Sequence, residues 1–144
     1  SIRNRPDVVT SKLAALNFFE LAMPVPAPPA GYFDAGAAER GKAIFEGKAD
    51  CAKCHVPPLY TEPGWPAHPA SSVGSDGFIA SRSYDERIYR TTPLRGIFTK
   101  MKGGFYHDGR FPDLKSVVEH YNGLFRLNLT RQEKTDLIEF LRSL

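Results

Sequence analysis

Cys51-Ala52-Lys53-Cys54-His55 sets two thiols three positions apart and follows the second directly with an imidazole. C-x-x-C-H is the attachment signature of c-type haem. The two thiols reach the two vinyl groups of one porphyrin as thioethers, and the histidine is carried beneath the ring, where it binds the iron from one side. Cys51 and Cys54 are the only cysteines of the chain, so neither is left for a disulfide. The motif predicts one covalent haem c held by Cys51, Cys54 and His55. Two other chemistries compete for it. A thioredoxin-like redox pair needs a strand ahead of it in a βαβ surround, whereas the residues before Cys51 read as helix. A zinc site wants four protein ligands, and the cysteines would have to be completed from His55, His68, His107 and His120.

Function then turns on what fills the opposite side of the iron. Methionine or histidine closes the site for electron transfer, and a thioether favours the ferrous state. A deprotonated tyrosine favours the ferric state, and an open position admits small molecules. Met101 is the candidate by chemistry, because Met23 lies in a peripheral segment ahead of the haem motif. Tyr121 is the candidate by position, since class I cytochromes take this ligand from the segment just ahead of the last helix. Each also has a plainer reading: Tyr121 completes the apolar stripe of its own helix, and Met101, between Lys100 and Lys102, suits a gap-filling loop residue. His107 and His120 are the histidine candidates, although His107-Asp108-Gly109 also suits a turn held by its own hydrogen bond. His68 and Trp65 are the distinctive residues of the loop after the motif, Trp65 as a packing anchor.

Charged residues add a weaker layer. Arg90 and Arg95 carry the planar guanidinium that matches haem propionates, or else stand as solvated surface charges. Lys42, Lys48, Lys53, Lys100 and Lys102 would form a basic rim that steers an acidic redox partner.

Four helical stretches must position these groups. Val8 to Met23 repeats apolar residues at Leu13, Leu16, Phe19 and Ala22, the spacing of a helix. The run Pro24-Val25-Pro26-Ala27-Pro28-Pro29 then forces extended chain. Asp34 to Lys48 reads as a second helix with Asp34 as N-cap, Ala38, Ile44 and Phe45 toward a core, and Gly41 permitting close backbone contact. Gly47 ends it just before the haem motif. Val56 to Tyr89, rich in Pro, Gly and Ser, is an irregular excursion. Asp113 to Tyr121 is a third helix, with Leu114, Val117, Val118 and Tyr121 on its apolar face. Thr130-Arg131-Gln132-Glu133 is a capping box ahead of a last helix with Leu137, Ile138, Leu141 and Leu144 in its stripe. No β content is expected. The chain divides into an N-terminal helix and proline-rich segment, 1–30, and a haem domain, 31–144.

At 144 residues, with a formal charge of +3, the chain is sized for one domain and too weakly basic to argue for nucleic acid. No stretch is long and apolar enough to span a bilayer. Haem c is normally attached outside the cytoplasm, and no secretory signal shows where Arg3, Asn4, Arg5 and Asp7 interrupt the N-terminus. The chain therefore reads as the mature or trimmed form of an exported, periplasmic protein.

The second half carries a more specific pattern. Arg90-Thr91-Thr92-Pro93-Leu94-Arg95-Gly96, then Tyr106-His107-Asp108-Gly109-Arg110-Phe111, then Leu114 to Tyr121 and the last helix resemble the C-terminal haem domain of di-haem cytochrome c peroxidases. Their superfamily includes the enzyme that matures the tryptophan tryptophylquinone cofactor. Pro57-Pro58-Leu59-Tyr60-Thr61 and His68 fit the stretch after the haem motif more loosely. The resemblance covers roughly residues 35–144 and implies an all-α, class I cytochrome c-like fold around one haem. It also implies that Tyr121 stands where the peroxidases place a methionine and the cofactor-maturing enzyme a tyrosine. Those enzymes use two haems, and this chain has a single C-x-x-C-H. Three functions follow as expectations: a one-electron carrier, a peroxidase-type enzyme or its haem domain, and one module of a larger multi-haem protein.

Overall fold

The computed structural model describes residues 8–62, 66–75 and 88–144, and Trp65 lies outside them. Among the described residues are four α-helices: α1 (Leu13–Ala22), α2 (Ala35–Glu46), α3 (Leu114–Leu124) and α4 (Arg131–Ser143). The predicted all-α character holds, with one correction. His68–Pro69 (β1) pairs antiparallel with Ile88–Tyr89 (β2), His68 opposite Tyr89. Two residues per strand are too few to print a period-2 pattern in the sequence, so this short ladder was not expected.

Each helix start is encoded locally. The Asp34 carboxylate accepts from the Ala37 N–H at 2.6 Å, and Asp113 accepts from the Ser116 N–H at 2.7 Å. Thr130 and Glu133 close the reciprocal capping box. All three satisfy N–H groups that a helix leaves without an internal partner. α3 runs past its expected end at Tyr121 to Leu124. There Arg126 and Asn128 turn left-handed, and Asn122 Oδ1 accepts from the Leu129 N–H at 2.9 Å.

α2 and α4 pack on each other and carry most of the core. Phe45, 1% exposed, meets Phe140 edge-on at 5.1 Å, and Leu137, Leu141, Val118 and Leu114 surround them. Ala38 and Gly41 are buried as expected, and Ile44 is half-buried against the cluster. In α4 the core stripe is Leu137, Phe140 and Leu141, with Ile138 and Leu144 packed at its margin. Polar ties run along the seam. The Asp34 N–H donates to Glu139 at 2.7 Å, Arg40 donates twice to Asp136 at 2.9 Å, and Lys48 donates to Glu133 at 2.7 Å.

Asp136 is the one buried charged residue among those described, and it is matched by the bidentate guanidinium and by Gln132 at 3.0 Å. The Arg40 hydrogen bonds hold its carboxyl below the ordinary value, burial opposing. This carboxylate therefore stabilises the fold in full above the unfolded-chain value of about 4, and the gain is lost as pH falls through the lower native value. Arg40→Gln is expected to move the onset of acid unfolding to higher pH, read by circular dichroism across an acid titration. An unchanged acid limb would show that the pair contributes nothing.

Candidate haem site

α2 delivers its C-terminus to the motif. The Gly47 N–H caps the helix on the Ala43 carbonyl, and Asp50 takes a left-handed φ of 50°. Cys51–Lys53 then winds into a 3-10 turn, with the Cys54 and His55 N–H groups both donating to the Cys51 carbonyl. Cys51 and Cys54 are free thiols, and both are half-buried together with His55. Burial pushes the Cys51 thiol up to about 11, with the Asp50 carboxylate adding to it. Cys54 is raised for the same first reason, helped by Glu62.

The imidazole of His55 is oriented from outside the motif. Its Nδ1 lies 3.1 Å from the Tyr60 carbonyl oxygen. Donation to that carbonyl leaves Nε2 as the nitrogen with a free lone pair. Burial lowers the His55 pKa, the Tyr60 and Thr92 carbonyls opposing, which favours the neutral ring that a metal needs. Tyr60 itself has a φ of 55° and packs edge-on against Phe45 and Phe140, so the orienting carbonyl is fixed by the core.

α3 brings Tyr121 to this motif. The phenol lies close enough to Cys51 and Cys54 for both to raise its pKa, after burial as the main cause. Tyr121 and Tyr106 are hydrogen-bond partners, and the Tyr106 hydroxyl also donates to the Val73 carbonyl at 2.8 Å. Burial raises the Tyr106 pKa strongly. The Tyr121 ring stacks on Phe125 at 5.6 Å. Met101 is engaged elsewhere: its sulfur accepts the Tyr32 hydroxyl at 3.1 Å.

The histidines divide. His120 sits between Phe111, 4.8 Å away, and Tyr106, with Nε2 at 3.5 Å from the Val73 carbonyl. His107 stacks on Tyr89 and faces Ser75, while in the same turn Asp108 binds the Arg110 N–H and side chain. His68 pairs with Glu62, which also accepts from the Thr91 hydroxyl. Donor atoms of Cys54, Glu62 and His68 lie within 4.8 Å of one another, a spacing that could also hold a small ion. The arrangement leaves out Cys51 and His55, and Glu62 already accepts from both His68 and Thr91. Arg90 and Arg95 are exposed. Of the lysines in the expected basic rim, Lys48 is tied to Glu133 and Lys100 reaches the Pro93 carbonyl at 3.4 Å.

Two thiols on one turn, an imidazole aimed by a backbone carbonyl and a phenol beside the thiols form a donor set that suits a c-type haem. Sequence reasoning did not find Tyr60, whose part is played by its carbonyl, nor Tyr32 or the Tyr106 hydroxyl. Tyr106 stood in a recognised motif, but only the folded chain shows which hydroxyl it faces.

No family model matches the chain. It is 33% identical over 124 residues to the methylamine utilization protein MauG of Methylorubrum extorquens, an alignment covering 74% of this chain and 34% of that protein. A cytochrome-c peroxidase of Denitromonas iodatirespirans is 29% identical, over 74% of this chain and 40% of its own. The chain thus spans about a third to two-fifths of the length of these curated relatives. A solved chain of hydrazine synthase from Kuenenia stuttgartiensis shares the fold, with a TM-score of 0.54 and 21% identity over 94% of this chain and 56% of that one. The curated relatives support the peroxidase-type family that the motifs resemble.

Proposed function

We propose that this relative of the methylamine utilization and cytochrome-c peroxidase proteins is a c-type haem domain that passes electrons one at a time in the periplasm. The observation that carries the reading is the His55 side chain, which directly follows the second thiol and is oriented through Nδ1 by the Tyr60 carbonyl 3.1 Å away. Cys51 and Cys54 would hold one haem covalently, His55 would bind its iron, and Tyr121 would take the opposite side. When bound, the haem supplies a one-electron Fe(III)/Fe(II) couple, and an anionic oxygen ligand favours the ferric state. The chain's own residues do the rest. The Tyr60 carbonyl fixes the imidazole tautomer, the Tyr106 hydroxyl, held by the Val73 carbonyl, is the hydrogen-bond partner of the Tyr121 phenol, and the Phe45–Tyr60–Phe140 cluster holds the motif against the core. Tyr32, by occupying the Met101 sulfur, favours Tyr121 over Met101. Arg90 and Arg95 are assigned to the propionates, and Lys42, Lys53 and Lys102 to an acidic redox partner.

Optical and EPR spectra of the wild type beside Tyr121→Phe and Met101→Leu test the ligand. Tyr121→Phe alone should change the ligand-field signature. A change confined to Met101→Leu, or none in either variant, defeats the assignment. The cytochrome-c peroxidase relatives favour a second reading, a peroxidase-type site or one module of a longer multi-haem protein. It requires an iron position open to peroxide and an acid–base group beside it, for which His120, His107, Glu119 and Arg95 are candidates. Rapid mixing with peroxide separates the two, since a carrier closed by Tyr121 should leave it unconsumed.

A further inference from the structure

Among the described residues α1 packs chiefly on the 3-10 turn ahead of it and exposes an apolar surface. Leu13 and Leu16 are each 50% exposed and Phe19 is 60% exposed. A short helix that is apolar on nearly every side ordinarily rests against something. Its one charged residue, Glu20, and Lys12, which ends the 3-10 turn (Thr10–Lys12) leading into it, point to what that is.

The face centred on Leu16 reads the same in both directions. Leu13 and Phe19 lie three residues to either side of it, and Lys12 and Glu20 lie four residues to either side. At 100° per residue Leu13, Phe19 and Glu20 fall within about 60° of a line through Leu16 along α1, and Lys12 ends the 3-10 turn that continues this line at its start. The apolar positions mirror one another, whereas the charged pair is mirrored with opposite sign. Only antiparallel pairing uses that pattern. Two such helices related by a two-fold axis beside Leu16 set Lys12 of each copy level with Glu20 of the other. Leu13 of each then meets the other's Phe19, and the two Leu16 side chains meet at the axis. A parallel pair would set lysine beside lysine and glutamate beside glutamate.

We propose that α1 is a self-association surface whose occupant is α1 of a second copy of this chain, in a two-fold antiparallel helix pair. The interface is isologous, so each ion pair occurs twice and one substitution acts at both. Apolar contact supplies the attraction, and the paired charges fix direction and register.

Sedimentation velocity across a wide concentration range, on the haem-loaded protein, tests this. The wild type should pass from monomer to dimer as concentration rises. Lys12→Glu and Glu20→Lys, each of which turns both pairs into like-charge contacts, should weaken the dimer by about tenfold or more. The double variant Lys12→Glu with Glu20→Lys restores both pairs reversed and should dimerise as the wild type does. Because both positions are exposed, circular dichroism should find all three variants folded. The proposal is overturned by a wild type that stays monomeric, including one that is monomeric but sediments with phosphatidylglycerol vesicles. It is equally overturned by single variants that still dimerise, or by a double variant that fails to recover.

Discussion

Gly41→Ala is expected to melt about 3–6 °C below the wild type, the largest loss from adding one methyl group anywhere along α2. A Cβ built at Gly41 falls 2.0 Å from the Asp136 carbonyl oxygen, 2.6 Å from its carbon and 2.8 Å from the Phe140 Cβ. These neighbours are backbone and side-chain root, so no rotamer change relieves the contact, and α2 must move off α4. Overpacking of this kind costs about 1–3 kcal/mol or more. Replacing a helical glycine by alanine returns about 1 kcal/mol through propensity, so the contact must win by a clear margin. A net loss of about 1–2 kcal/mol corresponds to that melting shift for a chain of this size. The displacement would be felt at the motif as well, because the seam that Gly41 closes also holds Phe45, whose ring lies 6.4 Å from that of His55. Gly36→Ala is the control: its Cβ would meet only the Asp34 carboxylate at 3.5 Å and the end of the Arg40 side chain at 3.7 Å. Equal melting temperatures for the two variants would defeat the account.

That seam also shows which parts of this protein were legible in its sequence. Asp34, Asp113 and the Thr130–Glu133 pair act on N–H groups three residues away, so the residue type and the helical run beside it were enough. Gly41 was legible as a close approach because glycine inside an amphipathic helix has little other use. What it approaches was not. Nothing in the local pattern marks Asp136 as buried, and its partner Arg40 lies 96 positions earlier. Phe140 fell outside the expected stripe because the α2–α4 contact widens the apolar face. The same distance in sequence hid the site's supporting groups. Tyr32 reaches Met101 across 69 positions, and Tyr60 acts through a carbonyl that every residue has. The sequence pattern named the atoms that would touch a haem, and the fold supplied those that aim them.

Replacing Cys51 and Cys54 together by alanine should abolish covalent haem, while either single replacement should leave one thioether in place. The expected readout is a denaturing gel stained for haem, in which wild type and single variants give a band at the chain's mass and the double variant gives none. The prediction separates two ways of using the same thiols. Haem attachment uses both, one for each vinyl group, with His55 beside them. A small ion in the Cys54–Glu62–His68 cluster needs only Cys54, and would be indifferent to Cys51. Thus Cys51→Ala is the informative single variant. If it changes the haem spectrum while metal content stays negligible, the haem reading stands. If wild type carries no haem after expression with a cytochrome c maturation system, and a divalent ion is instead lost with Cys54→Ala or His68→Ala but kept in Cys51→Ala, the thiols serve a metal cluster and the haem reading falls. The thiol energetics bear on how attachment proceeds. With burial holding Cys51 up to about 11, under one part in a hundred is thiolate at neutral pH. Cys51 in the folded, haem-free chain should therefore resist alkylation at pH 7 far longer than an exposed cysteine. Attachment is accordingly expected before α2 and α4 close over the turn, so haem added to the already folded apo-chain should remain extractable.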